Sequence, residues 1–341
     1  MKYFYLKYLF VFFIITSNAQ VGGESVYQFL NLPSSARQLS LGGEVLTLID
    51  DINQPIWNPA AINNNLDQNI SFNYSNYLSD INLGSLSYAH QISRRFGTIH
   101  GSISYLDYGK LTRSDLQGNE LGFFRANDIS LAIGYAVNLP WTNLYFGSNI
   151  KFINSSIDSF TSYAFAMDLG INYYSSFKDF SFSLVLRNFG TQLKNFNGIN
   201  EQLPFKVALG GSYKLKYVPL QWHLTLDNLQ QWNLSSPNPS EQITDLEGNT
   251  IVQDINFITN ALRHIIIGAE LFPESVINLR MGYNFRRAAE LKLQEVRTFG
   301  GISFGFGVRM NRITFNYAYS KFHTASNSST FSLQIDLDKN K

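Results

Sequence analysis

From Asn69 onward, apolar and polar side chains alternate along the chain with a period of two. Between Tyr163 and Tyr173, every second residue is aromatic or large and apolar, and the residues between them are small or polar. The segment from Ile129 to Val137 repeats this pattern. Successive side chains of a β-strand point to opposite faces of the sheet, so each segment has one apolar face and one small or polar face. This arrangement is typical of transmembrane β-barrel strands, which are apolar outside and polar inside.

Fourteen segments of the sequence show this alternation. Most have ten residues or more, whereas strands of soluble proteins average about 5–6 and a tilted membrane-spanning strand needs about 9–11. The number is even, as in single-chain bacterial barrels. The sequence therefore predicts an all-β fold, a transmembrane antiparallel β-barrel of about 14 strands. The predicted strands are 69–78, 82–92, 96–108, 126–138, 143–156, 161–175, 180–189, 203–216, 219–228, 262–272, 275–285, 297–309, 312–320 and 328–336.

The connections between the predicted strands differ in length. Those after even-numbered strands are short, and most of those after odd-numbered strands are long, the longest running from about 229 to 261. The first connection, around 79–81, is the exception. Outer-membrane barrels have short periplasmic turns and longer extracellular loops, so the pattern predicts that both chain ends lie in the periplasm. Within the longest loop, Gly248-Asn249 predicts a hairpin with a two-residue turn.

The longest loop also carries apolar residues in a polar frame, among them Trp232, Leu246, Ile251 and Phe257. A contiguous apolar surface is unfavourable in water and often marks a site of interaction. Two interpretations remain open. The loop either docks a partner protein at the cell surface, or it folds over the barrel mouth as a lid.

The residues before Asn69 differ from the rest of the chain. Lys2 and Lys7 precede an apolar run over 9–15, and small residues precede a cleavage site after Ala19, as in a secretory signal peptide. The apolar run is far shorter than the about 20 residues that span a bilayer as a helix, which argues against an N-terminal membrane anchor. We therefore divide the chain into a signal peptide (1–19), a plug or periplasmic lead-in (20–68) and a transmembrane barrel (69–341).

Composition supports a membrane barrel. Charged residues make up 15% of the chain, below the about 25% of soluble domains, and aromatic residues also make up 15%. A soluble β-sandwich, propeller or β-helix would have to explain the long strands, the alternating loops and the signal peptide together. The net charge of +1 lacks the basic footprint of a nucleic-acid-binding protein. The absence of cysteine excludes disulfides and thiolate chemistry.

The sequence gives no pattern for catalysis, a cofactor or a metal. Its five histidines have no metal-ligand spacing. The Gly-x-Ser-x-Gly match at 301–305 lies inside an alternating strand with no helix after it, so its serine does not stand in a nucleophile elbow. Glycines inside predicted strands, such as Gly210 and Gly305, are not followed by a helix and are not phosphate loops. We interpret them as places where the wall bends or meets a plug. The chain is therefore predicted not to be an enzyme.

The segment from residue 27 to residue 60 contains a series of short motifs. They are Tyr27, Phe29 and Leu30; Pro33, Ser35, Ala36 and Arg37; Gly42 and Gly43; Asp50 and Asp51; and Trp57, Asn58, Pro59 and Ala60. This series resembles the start of the PorQ family, outer-membrane proteins of the Bacteroidetes type IX secretion system. The related PorV family shares a looser pattern of an Ala-Arg pair, a Gly-Gly pair, acidic residues and Asn-Pro-Ala. One departure is that the chain does not end on an aromatic residue.

The resemblance implies a fold and a role. Its fold would be a barrel like that of FadL-type transporters, set in outer-membrane lipid. Its role would be in exporting cargo and anchoring it at the cell surface, with partners that resemble PorV, PorU and PorZ. The alternative is a FadL-like outer-membrane transporter of small hydrophobic molecules, which Asn-Pro-Ala and the strand count also fit. A transporter needs an apolar ligand pocket and an opening, whereas a docking barrel needs an exposed protein-binding surface on its loops.

Overall fold

The computed structural model describes most of the chain after the first 24 residues. The predicted signal peptide and Leu246 lie outside the described residues, and only the backbone of Ile251 is described. The described residues are 25–93, 95–139, 142–175, 179–234, 243–244, 250–251, 256–292, 299–324 and 326–338.

Fourteen antiparallel strands form a closed barrel in which the first strand pairs with the last. Each predicted segment corresponds to one strand, so the predicted fold class is confirmed. A separate two-stranded hairpin, β10 and β11, lies between β9 and β12. The strands are β1 Asn69–Leu78, β2 Ile81–Ser93, β3 Gly97–Ser114, β4 Glu120–Leu139, β5 Leu144–Ile157, β6 Phe160–Ser175, β7 Phe180–Lys194, β8 Lys206–Lys214, β9 Leu220–Leu226, β10 Ile243–Thr244, β11 Thr250–Ile251, β12 Ile265–Leu271, β13 Ile277–Asn284, β14 Ile302–Met310, β15 Ile313–His323 and β16 Ser326–Asp336.

Side chains alternate between the two faces of the wall as the sequence predicts. Phe165 is 45% exposed on the outside, whereas its neighbour Ala166 is 1% exposed on the inside. Small and polar residues such as Ser71, Ser183 and Thr330 are buried on the inner face. Since the outer face is apolar along its length, it is the face suited to lipid.

The two ends of the barrel differ in their connections. At the turn end, where β1 begins and β16 ends, the connections are 94–96, 140–143, 176–179, 215–219, 272–276 and 311–312. At the opposite loop end they are 79–80, 115–119, 158–159, 195–205, 227–264, 285–301 and 324–325.

The predicted alternation of loop length holds only in part. All the long connections are at the loop end, but four connections there are as short as turns. One of them, 79–80, is the predicted exception, and strands beside others, such as β3 and β4, extend beyond their predicted bounds. The hairpin within the longest connection also differs from the prediction. A two-residue turn at Gly248-Asn249 would pair Glu247 with Thr250, whereas Thr250 pairs with Thr244.

The strands differ in length around the barrel. Strands β3 to β7 have between 14 and 20 residues. Strands β8, β9, β12, β13 and β14, which we call the short wall, have between seven and nine. Nine of the fourteen barrel strands have ten residues or more, as predicted, and the five shorter ones are all in the short wall.

The described helices are all short. They are α1 Ala36–Ser40, α2 Phe257–Arg263 and α3 Phe285–Glu290, with single 3₁₀ turns at Gln28–Asn31, Gln54–Ile56, Pro59–Ala61 and Asn64–Leu66. Among the described residues, no helix has the length and apolar content needed to cross a membrane.

Residues 25–68 run through the inside of the barrel, and we call them the plug. Ser25 forms a β-bridge with Gln202 in a loop-end connection, and Asp67 accepts a hydrogen bond from the Gln91 amide near the turn end. Most side chains between these two points are buried. The barrel's own ends meet at the turn end, where Asn69 pairs with Asp336. The first described residue, Ser25, nevertheless lies at the loop end. The prediction that both chain ends lie on the same side therefore holds for the two ends of the barrel but not for the start of the plug.

Candidate functional site: the interface between plug and wall

The Asn58-Pro59-Ala60 motif lies against glycines of the wall. The Asn58 side chain fixes the local turn, because it accepts a hydrogen bond from the Ala60 amide at 3.0 Å and donates one to the Leu46 carbonyl at 2.7 Å. A Cβ atom on Gly147 of β5 would overlap the Pro59 carbonyl group, and one on Gly170 of β6 would overlap Asn58. The wall therefore approaches the motif at backbone distance, which only glycine permits.

Gly147→Val is expected to displace the motif from the wall. Overpacking of this kind typically costs about 1–3 kcal/mol, so we expect a lower unfolding temperature and faster proteolysis within the plug, measured on the refolded protein in detergent. Gly101→Val is the matched control, because a Cβ atom on Gly101 of β3 meets nothing within 4 Å. Equal stability and equal proteolysis of the two variants would show that the motif does not press on the wall.

The Gly42-Gly43 motif makes a second close contact. Both residues have positive φ angles, 104° and 106°, a conformation that other residues rarely adopt. They follow α1 and lie against β12 and β13. A Cβ atom on Gly42 would lie 2.5 Å from Ile266, and one on Gly282 of β13 would overlap the Gly42 backbone. Glycine is thus needed on both sides of this contact.

Buried ion pairs connect the plug motif with the short wall. The Arg37 guanidinium lies 2.9 Å from the Asp50 carboxylate and 2.9 Å from the Glu270 carboxylate of β12. Glu270 is also paired with Arg280 of β13 at 2.7 Å. Asp51 lies nearby and accepts a hydrogen bond from the Asn53 amide. The structure therefore brings Arg37 and Asp50 together and adds two wall residues that sequence reasoning did not identify.

A second buried network links the plug to the loop end of the short wall. Lys206 of β8 pairs with Glu44 of the plug and, at 3.2 Å, with Asp227. Asp227 also pairs with Arg286 of α3 at 3.2 Å. The neighbouring Arg287 donates to the Ser320 hydroxyl, and burial lowers its pKa to about 10. It thus remains charged at neutral pH. Both networks fasten the plug to the side of the barrel with the shortest strands.

The other end of the plug motif fills an apolar part of the lumen. Tyr27, Phe29 and Leu30 pack with Leu203 of the 195–205 connection and with wall residues Leu83, Leu106, Ile153, Ala164 and Ala166. The Trp57 ring stacks under the Arg187 guanidinium at 4.1 Å, and Arg187 donates to the Leu30 carbonyl. The plug's own side chains therefore occupy the apolar space that a hydrophobic solute would otherwise enter from the loop end.

A cavity of about 430 Å³ lies at the turn end, between the plug and strands β3 to β6. Its lining includes five asparagine side chains, together with tyrosines and an arginine. Apolar residues such as Ile49, Ile62 and Val137 also line it. The cavity therefore combines polar and apolar groups, whereas sites for apolar ligands are lined predominantly by hydrophobic and aromatic groups. Among the described residues, no three acidic or histidine side chains are grouped closely enough to hold a metal ion.

Two of the four predicted docking residues come together at the loop end. The Trp232 and Phe257 rings are 4.9 Å apart, and Trp232 also stacks on His264 at 5.4 Å. Both Trp232 and Phe257 are exposed. Ile251 belongs to the β10–β11 hairpin, and Leu246 lies outside the described residues.

Comparison with known proteins agrees with this geometry. The family described as "Type IX secretion system protein PorV" matches residues 17–228. No curated protein matches the sequence significantly. The toluene transporter TbuX of Ralstonia pickettii has a similar structure, with a TM-score of 0.54 at 12% identity over 92% of this chain and 100% of TbuX.

Two further solved structures share the architecture. The monoaromatic hydrocarbon channel CymD has a TM-score of 0.52 at 11% identity over 89% of this chain and 97% of CymD. A mutant of the monoaromatic hydrocarbon channel TodX has a TM-score of 0.50 at 12% identity over the same shares. At such low identity these likenesses establish the barrel fold alone.

Proposed function

Since this chain belongs to the family of the type IX secretion system protein PorV, we propose that it is a plugged anchor on which a cell-surface attachment complex for secreted cargo assembles. The observation that carries this proposal is the plug, which runs through the inside of the barrel. A plug held by two buried ion-pair networks and by contacts with wall glycines suits a protein that holds partners in place. The family is one of outer-membrane secretion barrels and not one of enzymes.

Within this family we assign the chain to a PorQ-like branch. The support is the series Tyr27, Phe29, Leu30 and Pro33, which precedes Ala36-Arg37. The partners would then be proteins that resemble PorV, PorU and PorZ. Residues 1–19 act in this proposal as a signal peptide cleaved after Ala19, because an outer-membrane barrel must first leave the cytoplasm. The turn end would face the periplasm and the loop end the cell exterior, as in other outer-membrane barrels.

The longest loop-end connection supplies the docking surface in this proposal. Replacing residues 236–256 with a short Gly-Ser linker should leave the barrel inserted and heat-modifiable but abolish co-purification with surface partners from native outer membranes. Trp232→Ala should weaken the same association, because aromatic anchors often dominate protein interfaces. Leu116→Ala, a fully exposed position in the 115–119 connection, is the matched control. Undiminished co-purification after the loop replacement would mean that the connection is only a lid.

Transport of a small hydrophobic molecule is the second candidate. It is favoured by the likeness to solved structures described as hydrocarbon channels and a toluene transporter. Against it stands the apolar cluster around Tyr27 and Phe29, which the plug fills with its own side chains. The turn-end cavity has a mixed lining, with five asparagines and an arginine beside its apolar residues. A transporter would have to move the plug to pass its solute, whereas an anchor works with the plug fixed.

A further inference from the structure

The height of the lipid-facing surface differs between the two sides of the barrel. On β4 the outward apolar positions run from Ile129 to Leu139, which are ten steps of about 3.4 Å. With a strand tilt of about 40° this gives a height of about 26 Å, close to the about 25 Å apolar band of outer-membrane barrels. On β9 the outward positions run from Leu220 to Leu226, and the same calculation over six steps gives only about 16 Å. At β9, and at β12 with the same number of residues, the wall therefore falls about 10 Å below the height of the apolar band.

Helix α2 stands at the loop end of the short wall and leads directly into β12. Its seven residues have a length of about 10 Å at 1.5 Å per residue. Asn260 marks the inward face, since it is 3% exposed and its side chain donates to the Trp232 carbonyl. Ile258 and Leu262 lie two residues to either side, about 200° around the helix. They consequently point away from the protein, with 71% and 39% exposure.

The outward face of α2 carries no charge. The one charged residue of the helix, Arg263, is buried. Phe257 lies on a different part of the helix surface from Ile258 and Leu262, because its ring stacks on Trp232 in the proposed docking surface. Phe299, just before β14, adds an exposed ring at the same end of the same wall, as in the aromatic belts at membrane surfaces.

We propose that α2 lies in the outer face of the bilayer above the short wall, where Ile258 and Leu262 contact lipid acyl chains and complete the apolar band. The partner of this surface is the bilayer itself. A single residue separates the end of α2 from the start of β12, and the outward stripe of β12 includes Ile265 and Ile267. In this proposal the outward face of α2 extends that stripe. Helices that lie at a membrane interface bury an apolar face at the boundary between headgroups and acyl chains, and the uncharged outward face of α2 suits that position.

The absence of native cysteine makes a direct test possible. Ile258→Cys and Leu262→Cys, each the only thiol in the full chain, would be labelled with an environment-sensitive fluorophore and reconstituted in phosphatidylcholine vesicles. Quenching by brominated acyl chains reports lipid contact, and quenching by aqueous iodide reports water contact. Leu224→Cys, on the outer face of β9, is the lipid control, and Leu116→Cys, in the 115–119 connection, is the water control.

Labels at both α2 positions should lose fluorescence to brominated lipid to an extent nearer that of Leu224→Cys than that of Leu116→Cys. The shift in gel mobility on heating shows that each variant is folded. Testing two positions ensures that a local defect at one of them does not decide the result. Quenching mainly by iodide would overturn the proposal. Protection from both quenchers would also overturn it, because α2 would then be covered by protein.

Discussion

Glu270→Gln is expected to lower the free energy of unfolding by about 3–5 kcal/mol, the usual effect of removing one partner from a buried ion pair. Glu270 is the only carboxylate in contact with both Arg37 and Arg280 among the described residues. Its side chain has no solvent exposure, so water cannot solvate the guanidinium groups that lose their partner. Glutamine keeps the shape of the side chain, which limits the effect to charge and hydrogen bonding.

The variant should unfold at a lower temperature in detergent, and its plug should be cut faster by protease. Asp158→Asn is the control, because Asp158 pairs with Arg113 at an exposed site, where ion pairs contribute about 0–1 kcal/mol. Adding Arg37→Gln to Glu270→Gln should cost less than the sum of the two single changes, since residues in one network are coupled. Additive effects, or equal effects of Glu270→Gln and Asp158→Asn, would contradict the assigned network.

Ile133→Arg is expected to cost about 2–4 kcal/mol, the effect of an arginine at the bilayer midplane on the lipid face of a barrel. Ile133 lies near the middle of the outward stripe of β4 and is strongly exposed there. Leu139→Arg, at the turn end of the same stripe, should cost only about 0–1 kcal/mol. Both values would be measured by guanidinium unfolding in phospholipid vesicles. Equal costs would mean that the membrane does not cross β4 where its apolar stripe indicates.

Most of the fold could be predicted because strand alternation is a local property of the sequence. The prediction failed where the alternation is irregular. The outer parts of β3 and β4 form a hairpin beyond the barrel, with register shifts after Asp107 and Arg113 and positive φ angles at Gly109 and Gly122. Apolar and polar residues do not alternate regularly in these parts of β3 and β4, so the sequence pattern does not predict them as strands.

Of the candidate site, only the plug residues could be predicted from the sequence, and not the wall residues that they contact. The plug motif is visible as a series of short patterns, but its partners are far away in sequence, and Arg37 and Glu270 are 233 residues apart. A carboxylate inside the otherwise apolar β12 was a signal that could have identified Glu270. The interpretation of strand glycines came closer, because a Cβ atom on Gly210 or Gly305 would lie 2.8 Å from Leu46 or Ser40 of the plug.

The contacts of α1 restrict the order in which this molecule can be built. The helix packs against β13 to β16, and the Ala36 amide donates to the Ser332 hydroxyl at 2.8 Å. Strand β16 also closes the ring by pairing with β1. The last strands of the chain thus close the barrel and also form the surface against which α1 packs. Contacts between such distant segments form slowly. The plug can therefore reach its final contacts only once the last strands, which also close the ring, are in place.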